Sequence, residues 1–286
     1  MPVVDSVTSN ARSIKLHDER MLGYEEYGIP DGQPVLYFHG YPGARVEARF
    51  LAVAAAKAGI RLIGTDRPGM GFSSYKPGRR LLDWPGDVTE LADQLHLDGF
   101  AVVGFSGGGP YAVACAYKLP QRVTSCGIVA GAGMTGRYHY FLSRWMPWLM
   151  SPLMGRLFRD AAQSRKTLLR MSQNWIEPDR LSLSPEIAEL MAASLTEAFR
   201  QGARGAAQEG TILGAPWGFK VEDVRFPDMH LWHGALDREV PIAMGQAVAA
   251  RLVGTKPVYY PGDGHISLIV NHSEEIMSAL SNGDGH

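Results

Sequence analysis

A serine flanked at two residues' distance on both sides by glycine, in Gly104-Phe105-Ser106-Gly107-Gly108, stands where an apolar run (AVVGF) passes into a helical one (YAVACAYKL). A serine on so sharp a strand-to-helix turn takes a strained backbone conformation, and side chains two residues away on either side would collide. Gly104 and Gly108 are therefore read as the relief of that clash, and Ser106 as a nucleophile held out at the end of a strand. A glycine-rich turn around an unimportant serine is the plain alternative, and context is what weighs against it. A dinucleotide-binding turn does not fit, because this one comes late, after several strands, and does not read GxGxxG.

That context is an alternation of short β-branched runs with helical patterns, the mark of a parallel sheet of βαβ units. Strands are expected at Val35 to Phe38, Ile60 to Gly64, Ala101 to Phe105, Cys126 to Ala130, Met229 to Trp232 and Val258 to Tyr260, with an edge hairpin from Ser13 to Tyr27. In such sheets ligands bind beyond the carboxyl ends of the strands. Helices are expected from Asp87 to Leu97, from Pro185 to Arg200 behind Ser184, and from Pro241 to about Leu252. The alternation breaks between residues 136 and 220, where Met- and Trp-rich helical sequence points to a cap. The expected organisation is a core of residues 1–135 and 221–286 around a cap of 136–220.

Lysine and arginine number 28 against 29 acids, so no charge excess draws the chain to nucleic acid; a small-molecule substrate is the expected partner. Arg79 and Arg80 are read as part of a solvated loop. Cys115 and Cys126 lie in apolar stretches and are expected to be free. The first residues do not read as a secretory leader and no apolar run is long enough to span a membrane, so a cytoplasmic enzyme is expected.

A serine hydroxyl needs an imidazole base, and the imidazole a carboxylate to hold its tautomer. His265, in the glycine-bounded loop PGDGHISL, and Asp237, in HGALDREVP, follow Ser106 in the order Ser, Asp, His. Two other positions for the acid fit less well. The loop after the preceding strand, from Gly131 to Thr135, holds no carboxylate, and Asp263 is expected to spend its side chain on its own backbone turn. An imidazole base must be neutral to work, so activity is expected to rise with pH through roughly 6 to 7.5. For the oxyanion, Gly107 supplies one N–H and Tyr41, in His39-Gly40-Tyr41-Pro42-Gly43, the other; losing one such donor costs about 3 to 4 kcal/mol. His39 and His233 are read as structural loop histidines. Phe105, Trp145, Trp148 and Trp175 are candidate walls of an apolar pocket. No metal or organic cofactor is required.

The segments FHGYPG, DRPGMGFS, VVGFSGGGP, LWHGALDREVP and PGDGHISL together make the chain resemble the α/β-hydrolase superfamily. The resemblance implies an eight-stranded, mostly parallel sheet with a helical cap after the sixth strand, and a structural role for Asp66 to Ser74. Dehalogenases and epoxide hydrolases of that superfamily use an aspartate nucleophile, against which Ser106 argues. Proline iminopeptidases usually carry tryptophan after the serine, where this chain has Gly107. The leading expectation is a carboxylic ester hydrolase working through an acyl enzyme. The same triad also serves lactone opening, C–C cleavage, perhydrolysis, lyase and aminopeptidase chemistry, and a slow-turnover receptor is the reading from a different class.

Overall fold

A computed structural model describes residues 11–133 and 137–281, with the side chains of 137–145 outside that description. Eight strands are found among the described residues: β1 (Arg12–Lys15), β2 (Met21–Gly28), β3 (Gln33–Phe38), β4 (Ile60–Thr65), β5 (Phe100–Phe105), β6 (Val123–Val129), β7 (Met229–Gly234) and β8 (Lys256–Tyr260). They form one sheet in the order β1-β2-β4-β3-β5-β6-β7-β8. Pairing is antiparallel from β1 to β2 and from β2 to β4, and parallel for every later pair. Central β5 is buried along its whole length, as a strand covered on both faces must be, which explains its unbroken apolar sequence. The strand order reverses around β3 and β5, and the crevice beyond their carboxyl ends receives the site.

Helices α1 (Arg49–Lys57), α2 (Trp84–Gln94), α3 (Gly109–Lys118), α9 (Ile242–Ala249), α10 (His265–Asn271) and α11 (Ser273–Ser281) flank the sheet. Two cores result. One gathers Trp84, Val88, Leu91, Tyr111 and Val113 beneath α2 and α3; the other gathers Leu51, Ala55, Ile269, Ile276 and Leu280 beneath α1, α10 and α11. Helix α2 starts three residues before the expected Asp87, with Pro85 in its first turn, where a missing N–H costs nothing. Helix α9 is shorter than expected: Pro241 is its N-cap and the regular helix stops at Ala249.

Between β6 and β7 lie α4 (Arg137–Leu157), α5 (Ala161–Met171), α6 (Glu177–Leu181), α7 (Pro185–Ala198) and α8 (Arg204–Leu213). The Ser184 hydroxyl accepts the Ile187 N–H and starts α7, as its sequence predicts. This insertion is tied to the core by polar contacts. Gln201 donates to the Gly71 and Ser73 carbonyls at 2.7 and 2.8 Å, Glu197 pairs with Arg45 at 2.7 Å, and Gly205 packs directly on the Gly69 backbone. No helix among the described residues is long and apolar enough to cross a membrane.

Candidate active site

Ser106 follows β5 with φ +53°, a conformation that side-chain-bearing residues adopt only when their surroundings enforce it. The enforcement is steric. A Cβ on Gly104 would sit 2.2 Å from the Gly108 carbonyl oxygen, and one on Gly108 would sit 2.0 Å from that of Phe38, so the turn closes only with glycine at both places. The first turn of α3 then follows, with Pro110 where no internal acceptor is needed.

His265 opens α10, and its Nδ1 lies 2.7 Å from Asp237 Oδ2. The other oxygen of Asp237 accepts the N–H groups of Glu239 and Val240, both at 2.9 Å, so the carboxylate cannot swing away. An Nδ1–H pointing at Asp237 leaves Nε2 with a lone pair. The imidazole also packs on Phe105, ring centroids 4.9 Å apart. Ser106 and His265 line one cavity, and no hydrogen bond joins them among the described residues. Asp263 is engaged elsewhere: its carboxylate takes Asn271 Nδ2 at 2.8 Å and pairs with His272 Nε2 at 2.7 Å. Side chains from the following helix, rather than its own turn, occupy it.

The loop from His39 to Gly43 runs beside the serine. The Tyr41 nitrogen lies 3.3 Å from where a Gly107 Cβ would project, and the Tyr41 N–H has no acceptor among the described residues. Buried ions shape this loop. Glu47 accepts the Gly40 N–H at 2.6 Å and the Tyr37 hydroxyl at 3.0 Å, while Arg67 donates to the His39 and Gly40 carbonyls. His39 Nδ1 meets the Gly40 carbonyl at 2.8 Å and Nε2 accepts the Arg67 N–H at 3.2 Å. Burial, and then the charge of Arg67, push the His39 pKa well down, so it serves as a neutral strut. His233 is likewise structural: Nε2 bonds the Val240 carbonyl at 2.8 Å, and burial lowers its pKa.

Several residues of the site escape sequence reading. Glu209 of α8 is buried between Arg67, at 2.7 Å, and Arg79, and accepts the Tyr111 hydroxyl at 2.9 Å. Arg79 is thus 6% exposed, which corrects the solvated-loop reading; only Arg80 faces water. Burial opposes the charge of Glu209, yet Arg67 and Arg79 outweigh it and hold its pKa below the usual range. Asp179 of α6 lines the same cavity as Ser106 and grips the start of α10. Neither acid stands in a motif. Their partners are far away in sequence, and no periodicity reports them.

The cavity measures about 510 Å³ and is walled by Phe105, Met154, Phe158, Leu168, Trp175 and Met191 among others. Trp148 is a correction: it is 43% exposed and absent from the lining, because that side of α4 faces outward. Trp145 lies outside the described side chains.

A family model described as the alpha/beta hydrolase fold matches residues 33–271. Among curated proteins, the dihydrolipoyllysine-residue acetyltransferase component of the acetoin cleaving system of Pseudomonas putida is 30% identical over 188 residues. That stretch is 64% of this chain and 50% of that protein, so the chain spans about half the length of this relative. A hydrolase from Pseudomonas aeruginosa PA01 superposes with a TM-score of 0.75 at 20% identity, covering 98% of this chain and 100% of that one. A thermophilic esterase from Thermogutta terrifontis gives 0.72 at 20% identity, covering 95% and 97%. At such identity the likeness to solved structures is one of fold.

Proposed function

The chain belongs to the alpha/beta hydrolase fold family, and we propose that it cleaves carboxylic ester bonds with Ser106 as nucleophile, His265 as base and Asp237 as the acid that orients it. The observation that carries this reading is the 2.7 Å contact between His265 Nδ1 and Asp237 Oδ2 on the wall of a cavity that Ser106 also lines. In the reaction Ser106 Oγ attacks the ester carbonyl carbon while its proton passes to His265 Nε2. The carbonyl oxygen, now an anion, is held by the N–H groups of Tyr41 and Gly107. The imidazolium gives its proton to the departing alcohol; water then adds to the acyl enzyme by the same route and releases the acid.

The cavity's apolar walls and size favour a small to medium apolar acyl or alcohol group. Short-chain nitrophenyl esters test the reaction. Turnover is expected, and Ser106→Ala is expected to lower kcat on the order of 10⁴-fold or more. Turnover that persists in Ser106→Ala, or a folded wild type that hydrolyses no ester in a chain-length series, overturns the reading.

A further inference from the structure

The loop that carries His265 is held from the cap. Asp179 of α6 accepts the His265 N–H on Oδ2 at 3.0 Å; on Oδ1 it accepts the Ile266 N–H at 3.0 Å and the Ser267 N–H at 2.8 Å. The Ser267 hydroxyl adds a fourth bond at 2.8 Å. These are the first three amides of α10, which have no acceptor within the helix. The N-cap residue is Gly264, which has no side chain to offer them. Asp179 takes over that task from another segment, and it is itself buried. Room for it depends on Gly264, where a Cβ would lie 2.5 Å from Asp179 Oδ2 and 2.4 Å from Ile176 Cδ1.

We propose that Asp179 is the positioning residue of the catalytic base, so that the cap completes the site rather than merely covering it. The inference rests on the ester-hydrolase reading. Asp237 holds the His265 ring at Nδ1; it does not hold the backbone from which the ring hangs. With χ1 and χ2 as its remaining freedoms, the imidazole is placed by the backbone of residue 265, and the carboxylate of Asp179 fixes that backbone together with the next two residues. A loop released by loss of these bonds lets Nε2 drift from the line of proton transfer to Ser106, and displacement of about 1 Å in a reacting group can cost up to roughly 100-fold in rate. It also follows that α6 cannot swing outward as part of a lid without loosening the base.

The test compares Asp179→Ala, Asp179→Asn and Gly264→Ala with wild type on a nitrophenyl ester, with melting temperature measured in parallel. Asp179→Ala is expected to lower kcat about 30-fold while KM stays within about twofold, because the group acts through His265 and not on the substrate. Asp179→Asn retains one acceptor oxygen and is expected to restore kcat to within about fivefold of wild type. Gly264→Ala keeps the carboxylate but pushes it aside, and is expected to lower kcat about tenfold. A folded Asp179→Ala with unchanged kcat overturns the proposal, and so does one that raises KM alone, which would make Asp179 a substrate contact. Where Asp179→Ala does not fold, the other two variants decide, and wild-type kcat in both overturns it. The Ser106→Ala control separates the two readings: activity that survives it defeats the hydrolase assignment, whereas activity lost there but kept at the wild-type level in folded Asp179→Ala defeats only this inference.

Discussion

The two sides of the proposed reaction centre are built from different materials. The serine side is made of shape: Gly104 and Gly108 let backbone touch backbone, and no charge takes part in holding Ser106 at φ +53°. The side of Tyr41 is made of buried charge, with Glu47 beneath the Gly40 amide and Arg67, braced by Glu209, holding two carbonyls of the loop. Shape is insensitive to pH and intolerant of added atoms. Charge tolerates small changes of volume and depends on partners and protonation.

The largest effect is expected from Gly108→Ala on the serine side. The added carbon meets the Phe38 carbonyl oxygen at 2.0 Å, so stability is expected to fall by about 4 kcal/mol or more, equally at pH 6 and pH 8, as read from urea unfolding. Glu209→Gln strikes the other side, leaving Arg67 and Arg79 buried without their counter-charge. A loss of about 3 kcal/mol is expected, together with a fall in kcat of about tenfold in the folded fraction as the grip on the His39 and Gly40 carbonyls slackens. Full activity in this variant would show that the loop's shape does not depend on Arg67.

A smaller effect distinguishes the sides by pH. His39 is held neutral in the folded chain by burial and by Arg67, while the unfolded chain takes up a proton near pH 6.5. Its folded pKa is depressed, so the unfolded state binds more protons as the medium acidifies, and the stability this group contributes above pH 6.5 is lost as pH falls. His39→Gln is therefore expected to show a shallower loss of melting temperature between pH 7 and pH 5 than wild type, with part of the slope remaining from His233, which has the same sign. An unchanged slope would remove His39 from the account. The least effect is expected at Gly40→Ala, where a Cβ would make ordinary contacts of 3.4 Å with Glu47 Oε1 and 3.5 Å with Ser106 Cβ, and a change below about 1 kcal/mol is expected. The same substitution thus separates a glycine required by shape from one required by nothing more than its N–H.

Legibility in the sequence follows the same division. The sheet could be read because β5, buried on both faces, is an apolar run, and because the crossings between strands are regular helices. Ser106, Asp237 and His265, the proposed triad, stand out in the sequence because each lies just beyond a strand end among turn residues that mark it. Asp263 and Arg79 depart from the expected local roles for one reason: each is claimed by a side chain outside its own turn, Asp263 by Asn271 and His272, Arg79 by Glu209 across 130 positions. Trp148 departs from expectation because helical periodicity tells which residues share a face of α4 and not which way that face turns.

By itself the sequence determined the order of strands and helices, the strained turn at Ser106 and the chain order of serine, acid and histidine, because local sterics and hydrophobic period act over a few residues. Tertiary structure alone decided that Glu209 of the helical insertion neutralises Arg67 and Arg79, and that Asp179 of the same insertion, 86 positions before His265, receives the amides at the start of α10. Burial makes those ions need each other, since a charge withdrawn from water must find its partner wherever the fold has brought one.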